Sequence, residues 1–377
     1  MMPTLIVDDH IPFIKGVLEP YAKVIYAKGG VIDRGLASQA DGLIIRTRTR
    51  CDKNLLEGTP VKFIATATIG TDHIDIPYCN SLGIRWYHAP GCNAGSVKQY
   101  VASVLANISV NHNFSLKNKK IGIIGAGHVG TKVAHLAEIL GMTPLLNDPP
   151  RERNEESGSF VSIDEISESC DIISFHVPLN HEGVDKTFHM ADKSFLEKLK
   201  NKPFIINTSR GEVIESEAIK EALVKGWVSG FVADVWENEP NADPSLLQAA
   251  LIATPHIAGY SAEGKANGTA ACVRAAGKFF GFGLDCWFPT DLPSPENPQI
   301  EIDASGKNEE AVLSQAILAG YDVMSDDQTF RTDFSQFENL RNHYPTRREF
   351  EAYNVKIKNS NPAILTQLTN LGFHINQ

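Results

Sequence analysis

Arg210, Asp234, Glu239 and His256 are the residues of this 377-residue chain whose types suit proton transfer beside an anion. Each stands at or just past the end of a short apolar run: Phe204-Ile-Ile-Asn207, Phe231-Val-Ala-Asp234 or Leu251-Ile-Ala-Thr254. An arginine fork grips a carboxylate and polarises an oxygen beside it. A histidine titrates near working pH and can take a hydroxyl proton. A glutamate on the other imidazole nitrogen fixes the tautomer and raises the ring's basicity. Such a set would bind a 2-hydroxy acid by its carboxylate and remove the hydroxyl proton. The adjacent C–H then leaves as hydride, and hydride needs an acceptor.

The stretch Ile121-Gly-Ile-Ile-Gly-Ala-Gly-His-Val-Gly130 supplies a place for one. An apolar run enters a G-x-G-x-x-G, and a helical pattern follows through Val133, Leu136, Ala137 and Leu140, which is the strand–turn–helix context that gives the motif meaning. Gly125 allows a tight turn, Gly127 lets backbone approach a pyrophosphate, and Gly130 lets helix and strand pack closely. The helix N-terminus, at His128 and Val129, offers unpaired N–H groups to that pyrophosphate. Asp148 ends the next strand, Thr143–Asp148, where a carboxylate accepts ribose hydroxyls and repels a 2′-phosphate. The expected cofactor is therefore NAD. Asp234 is placed to position the nicotinamide amide.

The elements that must carry these groups read as a doubly wound α/β sheet, because apolar runs alternate with polar loops and helices such as Glu215–Lys225. Ahead of it, Thr4–Val7, Lys23–Ile25, Leu43–Arg46 and Phe63–Thr66 read as strands of a smaller α/β domain. Two loops there are chemically loaded. Arg46-Thr-Arg-Thr-Arg50, if extended, puts three arginines on one face and Thr47 and Thr49 on the other. That pattern suits a phosphate, and equally a solvated edge strand. In Thr66-Ala-Thr-Ile-Gly-Thr-Asp-His73, Thr68 and Gly70 suit the same anion, or else a capped turn before a helix at 74–82. Ala89-Pro-Gly-Cys-Asn-Ala-Gly95 is a breaker cluster and the expected hinge before a long apolar helix over 96–111. A proline-rich linker at 289–298 precedes a tail of mixed strands (Gln299–Ile302, Tyr353–Ile357) and helices (Glu309–Ala319, Pro362–Leu371), and isolates it as an accessory module.

A formal charge of −10 argues against a nucleic-acid or membrane-surface binder and requires a local basic cluster for any anionic substrate. Apolar runs are too short for a membrane span, and the N-terminus does not read as a signal peptide. Cysteines 51, 79, 92, 170, 272 and 286 show no metal-ligand spacing, so free thiols in a reducing cytoplasm and no metal are expected.

On Gly125-x-Gly-x-x-Gly130, Ser209-Arg-Gly211, Asp234-Val-Trp-Glu-x-Glu-Pro240 and Thr254-Pro-His-Ile-Ala-Gly259, the chain resembles the D-isomer-specific 2-hydroxyacid dehydrogenase family over roughly residues 1–285. The resemblance implies a Rossmann-type NAD-binding domain at 96–257. It implies a flavodoxin-like substrate domain at 1–95 plus 258–286, and an α+β dimerisation domain at 287–377. It implies Arg210, Glu239 and His256 as the catalytic set. On the cofactor it places Asp148, Val177, Thr208, Ser209, Asp234 and Gly259, with the glycine loop. On the substrate it places Arg46, Thr47, Thr68 and Tyr260. The stretches 66–75, 89–94 and 256–265, with Arg347-Arg-Glu349 in the tail, narrow the resemblance to a branch that acts on a phosphorylated hydroxy acid as a homodimer. Thr47 stands where that branch often has serine, which keeps the hydroxyl and adds a methyl. Val177 follows His176 where threonine is usual, which leaves only a backbone contact there.

Two other readings fit the same scaffold. A 3-phosphoglycerate dehydrogenase would take a substrate one carbon shorter, and its frequent amino-acid-binding tail is not what this tail resembles. An NAD-binding corepressor would bind the cofactor without turnover.

Overall fold

The computed structural model describes residues 2–155 and 158–376. They form two compact units, one of residues 2–93 and 261–293, the other of residues 94–155, 158–260 and 294–376. The chain crosses between them inside the breaker cluster, at Asn93 and Ala94.

The first unit holds a parallel five-stranded sheet of β1 (Thr4–Asp8), β2 (Lys23–Ala27), β3 (Gly42–Ile45), β4 (Phe63–Thr66) and β5 (Arg85–Tyr87), in the order 2-1-3-4-5. This is the flavodoxin-like order, with its switch point between β1 and β3. β3 and β4 are buried at every position, as parallel strands covered on both faces must be. The helix Ala262–Phe280 covers one face, its Cys272, Val273 and Ala276 packing with Leu5, Val7, Ile44 and Phe63. β5 escapes sequence reading because Arg85-Trp-Tyr87 is short and only partly buried.

The second unit holds β6 (Lys120–Ile124), β7 (Thr143–Asn147), β8 (Ile172–Phe175), β9 (Phe204–Asn207), β10 (Gly230–Ala233) and β11 (Ile252–Ala253). They pair in parallel in the order 11-10-9-8-6-7, a Rossmann-type sheet that reverses direction of growth between β6 and β8. The carboxyl ends of β6, β9, β10 and β11 deliver the glycine loop, Arg210, Asp234 and His256 to one edge.

The tail forms a small C-terminal domain whose strands are all parallel. β12 (Gln299–Asp303), β13 (Asn354–Lys358) and β14 (His374–Asn376) are parallel, with the helices Glu309–Gly320 and Pro362–Leu371 in their crossovers. Val312, Leu313, Ala316 and Ile317 share one core with Val101, Val104, Leu105 and Ile108 of the helix Ala94–Asn111. Burying each large aliphatic side chain there stabilises by at most about 1.5–3 kcal/mol. The proline-rich linker therefore marks a change of module but not a separate core. Among the described residues, no helix is long and apolar enough to cross a membrane.

Candidate active site

The glycine loop has the geometry its three glycines predict. Gly125 sits at φ +91°, where a side chain is strained, and a Cβ there would lie 2.7 Å from the His176 carbonyl carbon. A Cβ on Gly130 would run into the Gly125 carbonyl, which is the close helix–strand approach. Gly127 has nothing within 4 Å of its Cβ position and is the N-cap of the helix His128–Ile139 with no side-chain cap. First-turn N–H groups that no side chain caps, beside open space, fit a pyrophosphate.

Asp148 caps the helix Pro149–Asn154 through Arg151 N, 3.1 Å away, and its other oxygen accepts from Ala126 N at 2.9 Å. The acid thus also braces the glycine loop. Val177 packs 2.9 Å from the Gly125 Cβ position, as an apolar wall. Thr208 Oγ1 lies 3.3 Å from His176 Nδ1, and Ser174 Oγ lies 2.9 Å from His176 Nε2. Burial holds this ring down at about 3, so it is neutral near pH 7 and orients Thr208 as an uncharged partner. Ser209 is tied to Asn207 Oδ1 through both its N–H and its hydroxyl.

Glu239 and His256 come together: His256 Nδ1 lies 2.7 Å from Glu239 Oε2. The other carboxylate oxygen accepts from Trp236 N at 2.9 Å. Burial opposes the charge on Glu239. Contact with His256, the Trp236 N–H and the charge of Arg341 outweigh it, so the carboxyl is held below its ordinary value. An ionised glutamate fixes the proton on Nδ1 and turns Nε2 outward as the reactive nitrogen. His256 adopts φ +56°, a left-handed conformation uncommon for a residue with a Cβ.

What holds that conformation is Asp234, 1% exposed. Its Oδ1 accepts from Thr254 Oγ1 and Ile257 N, both at 2.7 Å, and its Oδ2 from Ala258 N at 2.8 Å. Burial pushes the Asp234 carboxyl up, and these donors with His256 counter that push. Asp234 was expected on the cofactor. Here its visible work is to fasten the loop on both sides of His256.

Arg210 lies at the start of a single 3₁₀ turn, Gly211–Val213, and its Nη1 donates to Ser209 O at 2.8 Å. A Cβ on Gly211 would fall inside the Trp236–Glu237 peptide. That glycine lets the arginine loop press against the segment carrying Glu239. Gly259 and Tyr260 follow directly, with Tyr260 N donating to Ile257 O at 2.8 Å.

The stretch 46–50, which would align its arginines only if extended, is a turn, closed by Thr49 N on Arg46 O. Arg46 donates through Nε and Nη2 to the two oxygens of Asp8, at 3.2 and 3.3 Å, and Asp8 is fully buried. Arg50 lies 3.3 Å from Asp52, and Thr49 donates to Gly29 O. Thr47 is exposed. Thr68 donates to Gly70 O at 3.0 Å and lies 2.7 Å from Thr66 Oγ1, the capped-turn alternative. Asp8, Asp9 and His10 form the one group of potential metal ligands found among the described residues, and Asp8 is already spent on Arg46. Sequence reasoning missed Asp8 for want of any local signal.

Three residues of the tail contact the rest of the second unit near His256 and the start of the helix Ala94–Asn111, and one of them, Arg341, carried no sequence signal. Arg347, 6% exposed, donates to Ala258 O at 2.5 Å, between His256 and Tyr260. Glu349 Oε1 accepts from Ser96 Oγ at 3.0 Å, at the start of the helix Ala94–Asn111. Arg341 Nη2 donates to Tyr260 Oη at 3.3 Å.

Residues 97–258 match the family described as the D-isomer specific 2-hydroxyacid dehydrogenase, NAD binding domain, and residues 292–372 match a domain of unknown function. The chain is 49% identical to an erythronate-4-phosphate dehydrogenase of Bacteroides fragilis, over 94% of this chain and 99% of that one. It is 40% identical to the enzyme of the same name from Porphyromonas gingivalis, over 93% and 95%. Among solved structures, a D-lactate dehydrogenase from Aquifex aeolicus in complex with NAD and lactic acid superposes with a TM-score of 0.60 at 25% identity, covering 75% of this chain and 96% of that one. With relatives this similar over nearly its whole length, the chain belongs to the erythronate-4-phosphate dehydrogenase family, a branch of the NAD-dependent D-2-hydroxyacid dehydrogenases.

Proposed function

We propose that this chain oxidises 4-phospho-D-erythronate to 2-oxo-3-hydroxy-4-phosphobutanoate, a step of pyridoxal 5′-phosphate biosynthesis. The single observation carrying the chemistry is the Glu239–His256 pair at 2.7 Å, on a loop fastened by Asp234. The relatives' name carries the substrate.

In this reading Arg210 forks onto the substrate carboxylate and polarises the C2 oxygen. His256 Nε2 takes the C2 hydroxyl proton, and Glu239 stabilises the resulting imidazolium through Nδ1. NAD, when bound, accepts the hydride released from C2. The glycine loop, with Gly125, Gly127, His128, Val129 and Gly130, would hold its pyrophosphate, and Asp148 its ribose. Val177, Thr208, Ser209, Asp234 and Gly259 would line its nicotinamide half. Thr47, Thr68 and Tyr260 are carried over as substrate contacts on resemblance, with Arg46 as their neighbour, its Nε and Nη2 held by Asp8. Cytoplasmic location and a homodimer built through the tail belong to the same reading.

The test is NADH consumption with 2-oxo-3-hydroxy-4-phosphobutanoate beside 3-phosphohydroxypyruvate, read in the reductive direction because alcohol oxidation by NAD is uphill near neutral pH. Preference for the four-carbon acid is the expected outcome. Preference for the three-carbon acid would overturn the substrate, and NADH binding without turnover on either would overturn the enzyme.

A further inference from the structure

Arg341 sits on the helix Phe337–Asn342 of the tail, which nothing in the sequence singles out. Its guanidinium lies 5.8 Å from the centre of the Tyr260 ring and 5.9 Å from that of Phe337, with Nη2 on the Tyr260 hydroxyl. Its Nε is buried and has no hydrogen-bond partner among the described residues. A buried N–H without an acceptor is costly, and such groups in native proteins usually have a reason. The group lies beside the acid/base loop, since Tyr260 follows His256 by four residues. A guanidinium held against aromatic rings with its Nε unspent is suited to a phosphate, whose oxygens match its planar fork.

The charge balance points the same way. The substrate class carries two anionic groups, a carboxylate and a phosphate. Arg210 is the proposed partner of the first. Arg46, the arginine the family resemblance offers for the second, already has Nε and Nη2 on the buried Asp8, and Arg50 pairs with Asp52. Arg347 has two donors, Nε and Nη1, unpartnered among the described residues, but it is only 6% exposed, anchored on the Ala258 carbonyl with its guanidinium 4.4 Å from the centre of the Tyr321 ring, whereas Arg341 is only partly buried. In a chain of net charge −10, a phosphate needs a cation with donors to give.

We propose that Arg341 is a substrate-binding residue contributed by the C-terminal module, taking the phosphate of the hydroxy acid together with the Tyr260 hydroxyl. The inference rests on the substrate class given under Proposed function. It makes the tail a source of specificity as well as of structure. The reaction itself gains no step from it.

The experiment uses the full-length protein with NADH, as wild type, Arg341→Met and Arg341→Lys. The acids are 2-oxo-3-hydroxy-4-phosphobutanoate and its dephosphorylated form. Removing one partner of a hydrogen-bonded charge pair should cut the kcat/KM ratio for phosphorylated over dephosphorylated acid by about 30-fold in Arg341→Met, chiefly through KM. Arg341→Lys, which keeps a point charge but loses the fork, should fall between. NADH affinity should hold within about twofold in both, a readout that damage to the fold would move. Equal losses on the two acids, or an unchanged ratio, would overturn the proposal. If the wild type turns over neither acid, the function reading fails on its own, and calorimetric titration of inorganic phosphate into the NADH complex decides the subsite. Weaker binding to Arg341→Met than to wild type would support it; equal binding, or none to either, would sink it.

Discussion

At the carboxyl ends of β1 and β3, Asp8 and Arg46 meet at 3.2 Å; at the carboxyl ends of β10 and β11, the loops carrying Glu239 and His256 bring those side chains to 2.7 Å. Both are acid–base pairs on the loop edge of a parallel sheet, where ligands commonly bind. They differ in what the pairing leaves over. Arg46 spends Nε and Nη2 on a fully buried carboxylate and is a permanent cation, so the pair is a closed electrostatic unit. His256 spends one nitrogen on Glu239 and keeps the other, which is the one a proton transfer needs. A charged loop becomes chemistry when its partner activates a group and does not consume it.

The largest expected effect is at His256. His256→Ala should lower turnover by about 10³-fold while NADH affinity stays within about twofold, because the residue's proposed work is proton transfer. Stopped-flow hydride transfer beside equilibrium NADH titration would show this, and near-normal turnover would erase the contrast between the two pairs.

Glu239→Gln comes next. It keeps a hydrogen bond to Nδ1 but removes the charge, and kcat should fall by about 100-fold. The folded carboxyl lies below its ordinary 4.5, so its contribution to stability is complete above about pH 4.5 and lost as pH falls through the lower folded value. Urea unfolding of wild type and variant should therefore diverge near neutrality and converge in acid. A stability difference that persists below that window would mean the charge is not what the pair supplies.

The smallest effect on turnover is expected at the other pair. Arg46→Met leaves Asp8 buried without its partner and should destabilise by about 2 kcal/mol, below the full cost of breaking a buried pair because Arg46 is one-third exposed. Adding Asp8→Asn should recover part of that loss, a coupling read by thermal unfolding. If Arg46→Met instead left stability intact and raised the substrate KM, the pair would belong with the site and the comparison would fail.

Much of this was legible in the residues. The β6 run into three glycines, the apolar runs ending at Asn207, Asp234 and Thr254, and the 3.6 periodicity after Ser96 each encode their element within a dozen residues. The parallel α/β fold follows from such local patterns, because each strand and helix must bury its own apolar face. The glycine roles were equally local: Gly125 needs a positive φ, and Gly130 an absent Cβ. Arginines at 46, 48 and 50 failed as a pattern, because alternation gives one face only if the backbone stays extended. Asp8, thirty-eight residues away, and the turn at Thr49 decided otherwise.

The sequence by itself determined the nucleotide-binding unit, the family and which residue types stand ready for proton transfer, because those depend on short-range spacing. Tertiary structure alone decided which charges are spent. It closed Asp8 on Arg46, turned His256 left-handed on the Asp234 carboxylate, and folded the tail into the core of the Ala94–Asn111 helix, with Arg341 at Tyr260 and Arg347 at Ala258. The physical reason is the same in each case. An ion pair, a buried donor or a shared core forms between groups far apart in the chain, and no window of sequence contains both.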